Sequence, residues 1–316
     1  MRVIFAGSGD FAVPALRSLV GAGHEVAFVL TQPDRIAGRG RRLTPTPVRR
    51  MAEELGLQVI STAQVNAPEI AERVTASGVR LAVTAAFGQK IGPALLAAPP
   101  AGWINLHASL LPAYRGASPI HRAVLDRCRR TGVTVFRLTE RMDAGPILTT
   151  RWTAIKPQET TEELHDRLAA IGCDALTAAV PLFEDGLPEG RPQDESQATR
   201  APRLRKEEGR IDFTRPAEIE AAHICGMWSW PGATCRYISA ATGKSENVTL
   251  ARARVAEVPP GPPAAGPPGR LDERLYVTAG SGFVELLEIK PQAGRVMPWP
   301  DFVNGRHVQP ADRFEP

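Results

Sequence analysis

The sequence predicts an α/β fold, a doubly wound and mostly parallel sheet followed by a smaller β-rich domain, and three observations carry that expectation. The chain opens with an apolar strand over Arg2–Ala6, a Gly7-Ser8-Gly9 turn, a helical pattern over Asp10–Val20 and a second strand over Glu25–Thr31. That is the β-turn-α-β start of a doubly wound sheet. Further on, Leu81–Ala86 is apolar without alternation, as a strand covered on both faces requires. Finally, 316 residues with 43% hydrophobic content suffice for about two domains.

The elements follow in order. Gly21 and Gly23 stop the first helix, and Asp34 and Arg35 lead into a Gly/Arg-rich loop over Ala37–Arg42. Pro45–Leu55 reads as a helix, Gln58–Ser61 as a strand and Pro68–Ser77 as a helix. Leu81–Ala86 runs into Phe87-Gly88, where glycine permits close backbone approach and the ring suits either lining a flat-ligand pocket or ordinary core packing. In the strand ending at Trp103-Ile104-Asn105-Leu106-His107, alternation puts Asn105 and His107 on one face and Ile104 and Leu106 on the other. Pro112 cannot continue a central ladder, and Ser118-Pro119 opens a helix. Strands over Val133–Leu138 and Ile147–Ile155 flank a loop that carries Asp143. A long amphipathic helix over Glu162–Phe183 precedes a polar, Pro-containing stretch, Gly186–Arg200, that reads as a linker. Short β-like runs, Thr249–Val258, Leu275–Thr278 and Val284–Ile289, suit a small barrel. Between them, Pro259–Pro268 is a low-complexity stretch expected to form an exposed polyproline-like loop.

Composition excludes several classes. The apolar run at the amino terminus is too short for a signal peptide, and no run approaches the roughly 18 apolar residues of a membrane span, so the expected location is the cytoplasm. Cys128, Cys173, Cys225 and Cys235 are scattered without Cys-x-x-Cys or zinc-finger spacing, which predicts reduced thiols and no metal. The net charge is +4, and its basic side chains cluster over Arg35–Arg50 and at Arg200, Arg203, Arg205 and Lys206. Such clusters suit a phosphate backbone, although a general excess of Arg over Lys is an equally good explanation for either one.

A carboxamide beside an imidazole suits a reaction in which an oxyanion develops on a carbonyl while a proton moves, as in acyl transfer. Asp143, after a neighbouring strand, is placed to fix the His107 tautomer and complete the set. Local evidence alone fits turn formers as well. Gly7-x-Gly9-x-x-Ala12 with Asp34 also satisfies the dinucleotide fingerprint, so an NAD-dependent enzyme is a rival reading.

Asn105-Leu106-His107-Ala108-Ser109-Leu110-Leu111-Pro112, Arg115-Gly116-Ala117-Ser118-Pro119-Ile120 and Met142-Asp143-Ala144-Gly145 together resemble the folate-dependent formyltransferase signature. Phe5-Ala6-Gly7, Thr31-Gln32-Pro33-Asp34-Arg35, Gln193-Asp194-Glu195-Ser196, Arg210-Ile211-Asp212-Phe213 and Trp230-Pro231-Gly232-Ala233 are similar to its methionyl-tRNA branch. The resemblance implies a Rossmann-like formyltransferase domain over residues 1–187, a linker over 188–207 and an OB-like, tRNA-binding barrel over 208–316. It implies catalysis by Asn105, His107 and Asp143, and binding of 10-formyltetrahydrofolate at Ser109, Leu110, Leu111 and Pro112, with Phe87 and Gly88 as candidate lining. Methionyl-initiator tRNA is the implied partner, held by Arg35, Arg39, Arg41, Arg42 and Lys206, and the chain is expected to act as a monomer. Family members usually carry Thr-Pro at Ser8-Gly9, so this substitution alone creates the dinucleotide fingerprint.

Overall fold

A computed structural model describes residues 1–37, 42–257 and 266–316. The chain divides into two compact units. Unit one comprises Met1–Pro119, Arg130–Thr153 and His165–Ala201; unit two comprises Ile120–Arg129, Ala154–Leu164 and Pro202–Pro316.

The first strands are β1 (Arg2–Gly7), β2 (Glu25–Thr31), β3 (Arg35–Ala37), β4 (Arg42–Thr44), β5 (Val59–Ser61), β6 (Leu81–Ala85) and β7 (Trp103–His107). They are followed by β8 (Arg115–Gly116), β9 (Arg130–Arg137), β10 (Ile147–Ala154) and β11 (Arg200–Ala201). The helices among them are α1 (Ala12–Gly21), α2 (Pro47–Glu54), α3 (Pro68–Ala76), α4 (Pro93–Ala97), α5 (Pro119–Leu125) and α6 (Thr161–Ala179). Seven strands form one sheet in the order β10-β9-β7-β6-β1-β2-β5. The pairs from β5 to β7 are parallel, and β9 runs antiparallel to β7. Burial explains the pattern, because every residue of β1 after Arg2 and every residue of β6 is buried and strands covered on both faces are near-continuously apolar.

From β1 the chain builds outward through β2 and β5, then returns to the other side of β1 with β6 and β7. The strand order therefore reverses between β1 and β6, and in open sheets ligands bind past the carboxyl ends at such a point. A Cβ on Gly7 would meet the Phe5 ring at 2.7 Å and Ala12 Cβ at 3.0 Å, so glycine lets α1 start this close to the strand. α2 starts where Thr46 Oγ1 accepts the Arg49 N–H at 3.1 Å, with Pro47 in its first turn.

Two stretches differ from the sequence reading. Around the Gly/Arg-rich loop, Arg35–Ala37 pairs antiparallel with Arg42–Thr44. Three-residue strands are too short to show a period. The long helix ends at Ala179, and Val180–Phe183 tightens into a 3-10 turn.

Unit two contains β12 (Ala233–Ile238), β13 (Ser245–Val255), β14 (Val277–Thr278), β15 (Phe283–Pro291), β16 (Met297–Pro298) and β17 (Arg313–Glu315), with α7 (Ala217–Met227) and α8 (Trp299–Arg306). The sheet order is β14-β15-β13-β12-β17 with antiparallel pairing throughout. Arg270 bridges to Arg313 and Leu271 to Val277, so the Gly269–Leu271 segment links the two outer strands. The result is a nearly closed barrel of the OB-like kind. Its core includes Ile211, Phe213, Leu250, Val277, Ile289, Trp299, Phe302 and Phe314. The sequence reading did not anticipate α7. Glu220 and His223 are buried on it along with Ala217, Ile224 and Met227, so polar and apolar residues share its buried side and no amphipathic stripe shows in the sequence. Most of the Pro259–Pro268 stretch lies outside the described residues.

Candidate active site

β7 ends the run of parallel strands at the sheet edge where β1 and β6 also end. Ile104 and Leu106 are buried and anchor the strand. The Asn105 carboxamide is half-buried and makes no hydrogen bond among the described residues. The His107 ring packs edge-on against Phe136, with centroids 6.4 Å apart. Its Nε2 lies 2.9 Å from the Tyr114 carbonyl oxygen. A carbonyl only accepts, so Nε2 carries a proton, and Nδ1 is the nitrogen left to exchange one. Nδ1 faces Asp143 Oδ2 at 3.9 Å, an ion-pair distance too long for a direct hydrogen bond.

Asp143 sits in the loop after β9 in the left-handed region, φ +50, where Asp is tolerated better than most L-residues. Its Oδ2 accepts the Gly116 N–H at 2.8 Å. The side chains of His107 and Asp143 are 7% and 13% exposed, so the pair is largely screened from solvent. Gly116 has φ +127, and a Cβ there would run into the Ala201 carbonyl. Only glycine thus allows β8 to lie against β11, a parallel pair in register at Arg115–Arg200 and Gly116–Ala201.

The sequence reading took the polar stretch Gly186–Arg200 as a linker and gave it no part in the site. Its backbone bridges to Ile147 through Arg191 in both directions at 2.8 Å. Gln193 Nε2 donates to the Asp143 carbonyl at 2.9 Å and the Gly145 carbonyl at 2.7 Å, while its Oε1 accepts from Arg115 Nε at 3.1 Å and Nη2 at 2.8 Å. Arg115 also forms a two-point pair with Glu195 at 3.0 and 2.9 Å, and this guanidinium holds the Glu195 carboxyl below its usual range. Thr199 Oγ1 accepts the Tyr114 N–H at 2.8 Å, which fixes the residue whose carbonyl holds His107. The available signal was the Gln193-Asp194-Glu195-Ser196 motif, but polar partners show no periodicity from which a position can be read.

The turn after β7 is braced from inside. Ser109 is fully buried, and its hydroxyl donates to the Ala113 carbonyl at 2.6 Å. Thr134 Oγ1 donates to the Ser109 carbonyl at 2.7 Å and accepts the Leu111 N–H at 3.1 Å. Leu111 is buried, whereas Leu110 and Pro112 keep exposed surface. Ser109 and Leu111 therefore shape the turn, and Leu110 and Pro112 present it. Phe87 and Gly88 follow β6 at the switch point. The Phe87 carbonyl accepts from Gln32 Nε2 at 2.7 Å, and Gly88 has φ +78 with the Gln32 amide where a Cβ would stand. Arg35 and Arg42 are exposed on β3 and β4, with Arg35 donating to Gln32 Oε1. Lys206 is exposed in unit two. Arg39 and Arg41 lie outside the described residues.

The dinucleotide rival loses its ribose reader, because Asp34 Oδ2 pairs with Arg49 Nη1 at 2.8 Å. Comparison with known proteins agrees. A formyl transferase family model matches residues 1–180, and a model of the formyl transferase C-terminal domain matches residues 203–307. The methionyl-tRNA formyltransferase of Heliobacterium modesticaldum is 40% identical over 320 residues, covering 99% of this chain and 100% of the relative. That of Solibacter usitatus is 42% identical over 311 residues, covering 98% and 96%. Among solved structures, HypX from Aquifex aeolicus superposes with TM-score 0.63 at 16% identity, over 98% of this chain and 50% of HypX. WlaRD, a sugar 3N-formyl transferase, superposes with TM-score 0.62 at 14% identity, over 93% and 99%; at such identities both show the fold alone. With a family model over more than half the chain and full-length relatives near 40% identity, the chain belongs to the methionyl-tRNA formyltransferase family.

Proposed function

We propose that the chain transfers the formyl group of 10-formyltetrahydrofolate to the α-amino group of methionyl-initiator tRNA, for translation initiation. The observation that carries the reading is the shared position of Asn105, His107 and Asp143. A carboxamide without a hydrogen-bond partner among the described residues and an imidazole occupy one strand face, and a carboxylate lies 3.9 Å from the open imidazole nitrogen.

An α-amine ordinarily has a pKa of about 7.7–8.0 and is mostly protonated at neutral pH, so it must lose a proton before attack. Asp143 accepts or relays that proton. The neutral nitrogen then bonds to the formyl carbon, whose carbonyl oxygen becomes an oxyanion. Asn105 donates to it from its amide, and His107 does so from Nδ1–H as an imidazolium whose Nε2–H stays on Tyr114. Collapse breaks the bond from the formyl carbon to N10 of the folate. N10 takes the second amine proton, and tetrahydrofolate leaves. Leu110, Pro112 and Gly88 line the donor site, with Ser109 and Leu111 setting the turn and Phe87 packed in the apolar core beneath it. HypX, a fold neighbour, has been crystallised in complex with tetrahydrofolic acid.

Arg35, Arg39, Arg41, Arg42 and Lys206 grip the tRNA through its phosphates. The acceptor is a cytoplasmic species, and no helix among the described residues is long and apolar enough to cross a membrane. The test is formyl transfer from 10-formyltetrahydrofolate to methionine-charged initiator tRNA, with uncharged tRNA and free methionine as controls. Transfer to the charged tRNA alone is expected. Donor binding without transfer would mean a different amine acceptor.

A further inference from the structure

We infer that Gln193 is a positioning residue for Asp143, fixing the catalytic carboxylate through the backbone of its loop. The inference rests on the proposed role of Asp143, and it assigns a function to a segment whose composition suggests only a linker.

The hydrogen bonds form a closed circuit. Asp143 Oδ2 accepts from the Gly116 N–H at 2.8 Å. The preceding residue, Arg115, donates to Gln193 Oε1 at 2.8 and 3.1 Å. Gln193 Nε2 returns to the Asp143 carbonyl at 2.9 Å, with its second N–H on Gly145 at 2.7 Å. Both ends of Asp143, carbonyl and carboxylate, are thus referred to one dipeptide, Arg115-Gly116. A primary amide is the side chain suited to the junction, since it offers two donors on one nitrogen and an acceptor on the opposite atom. Arg115 cannot swing away, because Glu195 grips it at two points, and the same carboxylate takes Arg141 Nη2 at 2.8 Å from the start of the Asp143 loop.

The circuit matters because Asp143 lies at φ +50, a conformation an L-residue leaves unless its surroundings hold it. Asp143 and His107 are separated by 3.9 Å and joined by no direct hydrogen bond. No bond between them sets the distance, so it is set by what holds Asp143 at each end, the Gly116 N–H on its carboxylate and Gln193 on its backbone. Without the Gln193 donors the backbone end loses its tie, and a carboxylate displaced by about 1 Å costs on the order of 10²-fold in rate.

The experiment is a double-mutant cycle in steady-state formylation of methionyl-tRNA, using wild type, Gln193→Ala, Asp143→Ala and the double variant, each checked by thermal melting. Gln193→Ala is expected to lower kcat about 10–100-fold with KM for both substrates changed by less than about twofold. In the Asp143→Ala background the same substitution should change kcat by less than about twofold, because its effect is transmitted through Asp143. Gln193→Glu keeps the length and the acceptor for Arg115 but cannot donate, so its kcat should fall as far as that of Gln193→Ala. It also carries the test if the alanine variant does not fold. Equal losses from Gln193→Ala in both backgrounds, a loss confined to KM, or wild-type kcat in Gln193→Glu would overturn the inference. Wild-type kcat in Asp143→Ala would instead remove the underlying reading of Asp143, a result distinct from all of these.

Discussion

Strand β7 and the segment Gly186–Ala201 both place residues at the candidate site, and they are held there by different forces. In β7, Trp103, Ile104 and Leu106 are buried at 1%, 0% and 2% exposure, and the strand is paired on both sides. In the polar segment most residues are exposed, and its hold on the site comes from hydrogen bonds: Arg191 to Ile147, Gln193 to the Asp143 loop, Thr199 to Tyr114. Apolar burial is a property of the whole sheet, so its loss is felt as stability. A hydrogen bond near the surface contributes little to stability but can fix a geometry, so its loss is felt as rate.

Asn105→Ala keeps the apolar anchors of β7 and removes the carboxamide. It should lower kcat about 10²–10³-fold with a melting temperature near wild type. A large drop in melting temperature instead would show that Asn105 belongs with the buried residues of its strand. Leu106→Ala should do the reverse, costing about 2–5 kcal/mol of stability while the folded fraction keeps most of its kcat; denaturant titration alongside active-site counting separates the two. For the polar segment, Thr199→Val leaves the Tyr114 N–H without its acceptor. At about 1–2 kcal/mol for one unmade bond, kcat should fall roughly 5–30-fold with little change in melting, and an unchanged kcat would show that the Tyr114 carbonyl needs no such support.

The smallest effect extends the contrast to unit two. Glu163 is held down to about 2 by its hydrogen bonds from Arg252. Since the folded value lies below the ordinary one of 4.5, this pair stabilises the fold fully above about pH 4.5 and stops doing so as pH falls toward 2. With 48% of the Glu163 side chain exposed, the contribution is about 1 kcal/mol or less. Thermal melts of wild type and Glu163→Gln should therefore differ at pH 6 and converge near pH 2. Curves that stay parallel to pH 2 would remove Glu163 from the acid transition.

The same contrast explains what could be read from the sequence. The β1-α1-β2 opening, the unbroken apolar run of β6 and the alternation around Asn105 and His107 are written in the spacing of apolar residues, and they mark the central strands of the unit-one sheet. Asp143 carries no such pattern; its loop position after β9 and its motif point to it together. Tyr114 acts on His107 through a backbone carbonyl, for which side-chain identity gives no clue. Gln193 and Thr199 lie in a stretch whose composition is that of a linker, and their partners are more than 40 residues away in the chain. α7 buries most of its residues, polar Glu220 and His223 among them, and so shows no apolar stripe, and three-residue β3 and β4 are too short for alternation to stand out.

The central claim is that Asp143 accepts or relays the amine proton while Asn105 and His107 hold the oxyanion. The direct test is the maximal single-turnover rate of an Asp143→Asn enzyme on methionyl-initiator tRNA with 10-formyltetrahydrofolate saturating. This isosteric change keeps an acceptor for the Gly116 N–H but removes the base, so the rate should fall about 10²–10⁴-fold with tRNA and donor binding retained. A rate near that of wild type would contradict the account, because the proton would then have another destination.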